Sequence, residues 1–178
     1  KKSAIRKSYK SLINWGLKEL HPQIYDKDNI TWNHIESFRE LHIRVAKRET
    51  RTKSSWEKQF EMVKNGDAFI IFGKINEQLV SAGFFMINGS NCYYGVSASR
   101  RDLFHKPIFH ALLWKAIIFS REIGCRWFEL GEQSFLNHPL NPRSTKKERA
   151  ISEFKAGFGG FMKLYLDITL DCSFKSTT

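Results

Sequence analysis

The spacing of apolar residues along the chain changes from a helical period to an alternating one and back. In residues 4–15, Ile5, Tyr9, Leu12, Ile13 and Trp15 form a loose amphipathic stripe, which predicts a helix that stops at Gly16. Residues 17–25 predict a short strand, and Pro22 assigns it to a sheet edge because proline cannot donate to a ladder. Ile35, Phe38, Leu41, His42 and Val45 recur at helical spacing behind an Asn33–Glu36 cap, predicting a helix through Arg48. Trp56, Phe60 and Val63 do the same behind a Ser54–Glu57 capping box, and that helix ends at Gly66. The period then shortens. Residues 68–75, 78–87 and 92–98 predict three strands joined by turns at Asn76-Glu77 and Asn88-Gly89.

Residues 107–123 return to a helical stripe (Ile108, Ala111, Leu112, Lys115, Ile118, Phe119), with Pro107 near the first turn and Gly124 beyond the end. A strand at 125–131, a loop at 132–144 holding Pro139 and Pro142, a helix from Thr145 and a last strand at 161–170 complete the order. Thr145 and Glu148 form a capping box, and Ile151, Phe154 and Phe158 fall at i, i+3 and i+7, an apolar face for a core. A three-strand meander followed by strand–helix–strand units predicts an α/β (α+β) fold: a mixed, mostly antiparallel central sheet with helices on both faces.

Composition narrows the class. A chain of 178 residues, 42% hydrophobic and 14% aromatic, supports one sizeable core. Residues 1–16 read as a basic linker helix and 17–178 as a single domain. The formal net charge is +11, and the first twenty residues concentrate Lys1, Lys2, Arg6, Lys7, Lys10 and Lys18 against Glu19 alone. That balance favours anionic partners without choosing among nucleic acid, phosphate-bearing substrates and an acidic membrane surface. Three widely spaced cysteines (Cys92, Cys125, Cys172) form no metal-type pair and no disulfide framework, which predicts a reducing compartment: the cytoplasm, or the inner face of its membrane. No apolar run is long enough for a transmembrane segment, and no signal peptide is seen. Starting at Lys1, the sequence is read as a piece of a longer protein.

Five groups can carry chemistry. Lys155 lies beside the apolar face of its helix, just before Gly157, Gly159 and Gly160. A cation there, followed by a Gly-rich exit, suits a negative or developing-negative oxygen; the alternative is a helix C-terminus with a favourable lysine and a glycine stop. Arg48 and Arg51, with Trp56 nearby, lie between two helices and suit a phosphate or carboxylate clamp, against the alternative of a solvated loop. Alternation sends one of Tyr93 and Tyr94 inward and one outward, and a core or interface role is the simpler reading. Glu129 lies near the C-terminal end of a strand expected to be central, where open α/β sheets place ligands; it is a candidate base or amine-binding group, or else one half of a salt bridge. Arg100 and Arg101 stand with His105 and His110. The two histidines are five apart, poor spacing for shared ligation, and no metal site is indicated.

Several of these stretches together resemble a known family. R-K-S-Y-K-S-L (6–12), F-R-E-L-H (38–42), T-R-x-x-x-S-W (50–56), Y-Y-G (93–95), F-E-L-G (128–131) and F-K-x-G-F-G-G (154–160) are similar to the FemABX type of GNAT-fold domain, and to FemAB-like domains labelled BioF2-like acetyltransferase. The last stretch is the most specific, and the resemblance covers roughly residues 4–170. It implies a GNAT-like acyltransferase fold and the second domain of a tandem whose preceding GNAT-like domain lies outside this chain. It also implies transfer of an aminoacyl or acyl group to an amine of a bacterial cell-envelope precursor, with no tightly bound cofactor and with aminoacyl-tRNA or acyl-CoA as co-substrate. By the family's F-K motif, Lys155 handles the ester and Phe154 packs beneath it. Trp56, Tyr94, Arg48, Arg51, Arg100 and Arg101 are then candidate substrate contacts and Glu129 a candidate base.

One departure bears on the donor. Acetyl-CoA-using GNAT domains place a Gly-rich loop after the meander, whose N–H groups hold pyrophosphate. Here residues 97–106 read S-A-S-R-R-D-L-F-H-K, with no glycine. Two alternatives therefore stand beside aminoacyl transfer: an acyl-CoA-dependent N-acetyltransferase acting on an amino sugar or surface-polysaccharide precursor, and a non-catalytic GNAT-like half that binds RNA or a protein.

Overall fold

A computed structural model describes residues 5–134 and 144–165. The sheet has five strands in the order β1-β2-β3-β4-β5: β1 (Gln23–Tyr25), β2 (Ala68–Ile75), β3 (Gln78–Asn88), β4 (Asn91–Ser99) and β5 (Trp127–Glu129). The first four pair antiparallel and β5 joins β4 in parallel, so the mixed, mostly antiparallel expectation holds. The helices are α1 (Tyr9–Glu19), α2 (Trp32–Ala46), α3 (Lys53–Lys64), α4 (His110–Glu122) and α5 (Lys146–Ala156).

Strand alternation divides the interior into two cores. Phe69, Ile71, Phe85 and Cys92 pack on one face with Tyr9 and Ile13 of α1, Leu112, Leu113 and Ala116 of α4, and Phe158 beyond α5. Ile70, Phe72, Ala82 and Phe84 pack on the other with Ile35, Phe38 and Leu41 of α2 and with Trp56 and Val63 of α3. Among the described residues, no helix is long and apolar enough to cross a membrane.

Several boundaries differ from the sequence expectation, each for a packing reason. Gly16 does not stop α1, which runs on to Glu19. A Cβ at Gly16 would come 2.6 Å from the Cβ of Ala111, so the glycine marks where α1 and α4 approach closely. Thr31 caps α2, with His34 completing the box, and Thr52 caps α3; Glu36, expected to cap α2, instead pairs with Arg39 at 2.6 Å. The fourth helix starts at His110, after Pro107. Ile151 is 43% exposed, while Ser152 takes the buried position and accepts from the Ser134 N–H at 2.7 Å. The last expected strand shows no strand pairing over 161–165; the rest of it, residues 135–143 of the expected loop, and Cys172 lie outside the described residues.

The β2–β3 turn provides a test. Asn76 and Glu77 both adopt left-handed backbone angles, φ 48° and 61°. Asparagine tolerates that region; a longer side chain is strained there by about 1 kcal/mol, and glycine is the usual second residue of such a hairpin. Glu77→Gly is expected to stabilise the fold by roughly 0.5–1 kcal/mol, measured by urea denaturation; the Lys74–Glu77 pair it removes spans 3.9 Å and is solvent-screened.

Candidate functional site

The sheet opens between β4 and β5. The two strands pair at Asn91–Trp127, Cys92–Phe128 and Tyr93–Glu129, and there the pairing ends. The β3–β4 register shifts between Phe84, opposite Val96, and Phe85, opposite Tyr94, which leaves Gly95 as the extra residue of a bulge. A bulge bends its strand and increases its twist. Beyond Tyr93, the edge of β4 that faces β5 carries unpaired backbone donors and acceptors among the described residues.

Helix α5 brings Lys155 to this opening. Thr145 and Glu148 form the expected capping box. The Arg6 N–H donates to the Gly157 carbonyl at 2.9 Å and the Tyr9 hydroxyl to the Phe154 carbonyl at 3.2 Å, docking the end of the helix on α1. Phe154 sits in a ring cluster with Tyr9, His110, Phe109 and Phe158. The Nδ1 of His110 is shielded and unpartnered, and burial lowers the pKa of this ring, which favours the neutral form at the base of the cluster.

The Lys155 ammonium donates to the Glu132 carbonyl at 3.3 Å and lies 6.0 Å from the centre of the Tyr94 ring. Burial lowers its pKa below the ordinary lysine value, partly offset by the Glu132 carboxylate. Tyr94 stacks between Phe85 and Phe109, and its hydroxyl bonds Ser97 at 2.6 Å. Burial pushes that phenol up to about 12, so it stays protonated across the neutral range. The thiol of Cys92 is likewise pushed up to about 12 by burial and is no nucleophile at neutral pH.

The opposite side of the opening holds different groups. Asn91, Tyr93 and Glu129 share the α2–α3 face of the sheet, since Tyr93 pairs with Met86 of that core and with Glu129 in register. Glu129 accepts a hydrogen bond from the Asn91 side-chain amide, whose oxygen is shielded and has no partner. Beside them lies a cavity of about 520 Å³, lined by Met62, Asp67, Met86, Asn91 and Tyr93 among others. The strand carrying Glu129 is not central but the edge strand among the described residues.

The other candidates lie elsewhere. Trp56 is 1% exposed and packs edge-on to Phe38 and His42, so it is a core residue and cannot touch a substrate in this conformation. Arg48 and Arg51 lie at the α2–α3 corner, on the sheet face away from α5; Arg48 is exposed, and Arg51 is half-buried with a shielded, unpartnered Nε. Arg100 is engaged with Asp102 and with Gln78 at 3.3 Å, and Arg101 is exposed in the turn before α4. The opening thus gathers Lys155, Phe154 and Tyr94, with Glu129 across the sheet, and leaves the arginines and Trp56 apart. Gly131 and Tyr93 belong to it as well. Tyr93 had a signal in the alternation of the tyrosine pair; Gly131 had none beyond its place in F-E-L-G.

No protein-family model matches the chain, and no curated protein matches its sequence. Solved structures do match in fold. A crystal structure of FemX superposes with a TM-score of 0.66 at 13% identity, over 88% of this chain and 54% of that one, so this chain spans about half of it. The aminoglycoside acetyltransferase meta-AAC0020 from an uncultured soil metagenomic sample, in complex with sisomicin, matches with a TM-score of 0.60 at 8% identity, over 84% of this chain and 95% of that one. Aminoglycoside N-acetyltransferase AAC(6')-Iy in complex with CoA matches at 0.55 and 12% identity, over 85% and 97%. The fold of this chain is that of the GNAT acetyltransferases.

Proposed function

We propose that this chain is an acyltransferase domain of FemAB-like type that moves an aminoacyl group from an ester donor to an amine of a cell-envelope precursor. The observation that carries the reading is the opening between β4 and β5, with a half-buried cation, Lys155, at its mouth on a GNAT fold. The FemX likeness and the F-K-x-G-F-G-G stretch support the FemAB-like assignment, and the span of about half of FemX supports a preceding domain as partner.

The chemistry asks for what the site offers. The amine nitrogen attacks the carbonyl carbon and forms the new C–N bond, while the carbonyl π electrons move to oxygen. Collapse reforms the carbonyl and breaks the C–O bond, and the proton shed by the amine ends on the leaving ribose oxygen. A fixed ammonium in a partly dry site stabilises the intermediate oxyanion more than bulk water does. The donor enters on the Lys155–Tyr94 side. The acceptor enters from the Asp67–Asn91 side, beside which the Glu129 carboxylate suits an amine. The exposed cations Lys7, Lys10 and Lys18 of the α1 segment suit the phosphates of a tRNA acceptor stem.

A second reading, acyl-CoA as donor, draws on the CoA-bound neighbour that matches over nearly its whole length. Against it stand the glycine-free segment 97–106 and the engagement of Arg100 by Asp102. Thermal melting of the chain with acetyl-CoA, and with an aminoacylated acceptor-stem mimic at moderate salt, separates the two. A ligand at a hundred times its Kd adds about 2.7 kcal/mol, or roughly 5–10 °C for a domain of this size. Stabilisation by the aminoacyl mimic is expected. Stabilisation by acetyl-CoA alone would establish the second reading, and RNA binding that ignores the aminoacyl group would point to a non-catalytic half.

A further inference from the structure

Gly131 lies two residues beyond β5, with φ 77°. A Cβ built there would sit 3.3 Å from the Tyr93 hydroxyl oxygen and 3.4 Å from the Lys155 ammonium nitrogen. The bare Cα of Gly131 therefore lets two polar hydrogen-bond donors close in on one point, where a side chain would crowd both. They come from opposite sides of the sheet. Tyr93 rises from the α2–α3 face, where it pairs with Met86, and Lys155 descends from α5 on the other; they meet beside Gly131, just past the end of the β4–β5 pairing. Tyr93 is 39% exposed, and no hydrogen bond engages its hydroxyl among the described residues. Tyr94 cannot serve in its place, since its hydroxyl is taken by Ser97.

We propose that the Tyr93 hydroxyl and the Lys155 ammonium together form the oxyanion cradle of this site, with Gly131 letting the two donors come together at one oxygen. The inference rests on the acyl-transfer reading and adds a second catalytic donor to it. As the amine attacks, the carbonyl oxygen gains the electron pair of the C=O π bond and accepts one hydrogen bond from each donor; on collapse the pair returns to the carbon. Neither donor gives up its proton in this step. Two donors from separate elements also fix the plane of the carbonyl, which a single ammonium, free to swing on its flexible stem, does not. Tyr93 also borders the 520 Å³ cavity, so the same residue touches both the acceptor's approach and the cradle.

The test uses methylphosphonate, a tetrahedral oxyanion, bound to the full chain and followed by phosphorus NMR, alongside donor discharge with an aminoacylated acceptor-stem mimic and an amine. Saturable methylphosphonate binding is expected, weakened about tenfold or more in both Tyr93→Phe and Lys155→Ala and unchanged in Lys58→Ala, an exposed α3 cation. In discharge, Tyr93→Phe is expected to lower kcat on the order of 10²-fold with KM little changed, as loss of one oxyanion donor does. Wild-type binding in Tyr93→Phe, an equal loss in Lys58→Ala, or no binding at all overturns the cradle. If Lys155→Ala slows discharge and Tyr93→Phe does not, the cradle fails while the acyl-transfer reading stands. If neither variant changes discharge, the acyl-transfer reading fails, and the methylphosphonate result still decides the cradle.

Discussion

Lys155→Ala is expected to abolish most transfer while leaving the protein folded. The side chain is half-buried, its ammonium held by one carbonyl and facing one aromatic ring, and no carboxylate lies within salt-bridge distance among the described residues. Removing it deletes a charge that the site had partly desolvated, so stability is little changed or slightly raised. The loss appears in the chemical step, at roughly 10²–10³-fold in kcat, the range for a single oxyanion-hole donor. The pH profile provides the sharper check. Burial holds the lysine pKa below its ordinary value, so the cation is lost as pH rises through that depressed value. Transfer should therefore fall on the alkaline side earlier than an ordinary lysine predicts. Lys155→Arg should flatten that fall, because arginine stays charged, although its planar fork will cost some of the rate at neutral pH. The stability linkage has the opposite sign. Between the folded and unfolded lysine pKa values the unfolded chain binds more protons, so stability rises with pH across that window. A profile of kcat against pH that is the same in the wild type and in Lys155→Arg would count against a role for the charge.

Trp56→Ala is expected to be the most destabilising of the substitutions at the sequence-derived candidates. The indole is 1% exposed, edge-on to Phe38 at 5.4 Å and to His42 at 5.6 Å, between α2 and α3. Truncating a buried tryptophan removes its transfer free energy and leaves a cavity, together about 3–5 kcal/mol. For a domain of this size that is a fall in Tm of roughly 10 °C or more. Trp56→Phe should recover a good part of it. Thermal melting and urea titration measure both. A change in Tm of only a degree or two, accompanied by weaker substrate binding, would return the tryptophan to the list of ligand contacts.

The contrast between Trp56 and Lys155 shows what pattern reading can and cannot resolve. Both were candidates because their residue types suit a ligand and their neighbours formed a recognisable stretch. Apolar periodicity placed both near a core, Trp56 on the stripe itself and Lys155 beside it. The position on the stripe was the better indicator: Trp56 packs and Lys155 reaches the opening. The arginines show the complementary case. Arg48, Arg51, Arg100 and Arg101 suit anions equally well by composition, yet Arg100 is spent on Asp102, and Arg48 and Arg51 lie on the face away from α5.

Local chemistry written in the sequence determined the elements and much of their order. The Thr145–Glu148 capping box, the Asn76–Glu77 turn, and the change of period at Ala68 are short-range features, satisfied within a few residues, and the last helix and the meander follow them closely. The alternation of β2, β3 and β4 also determined which side chains face each core. Tertiary structure alone decided where the chain packs tightly and where it opens. Gly16 is a helix contact rather than a helix stop because α4 lies against it. Strand β5 is short and, among the described residues, at the edge, and it separates from β4 after Glu129, near a bulge at Gly95 that no local signal announced. The convergence of Tyr93, Gly131 and Lys155 lies beside that separation. Residues on three different elements meet only after both cores have packed, and spacing along a chain does not encode distance through a gap in a sheet.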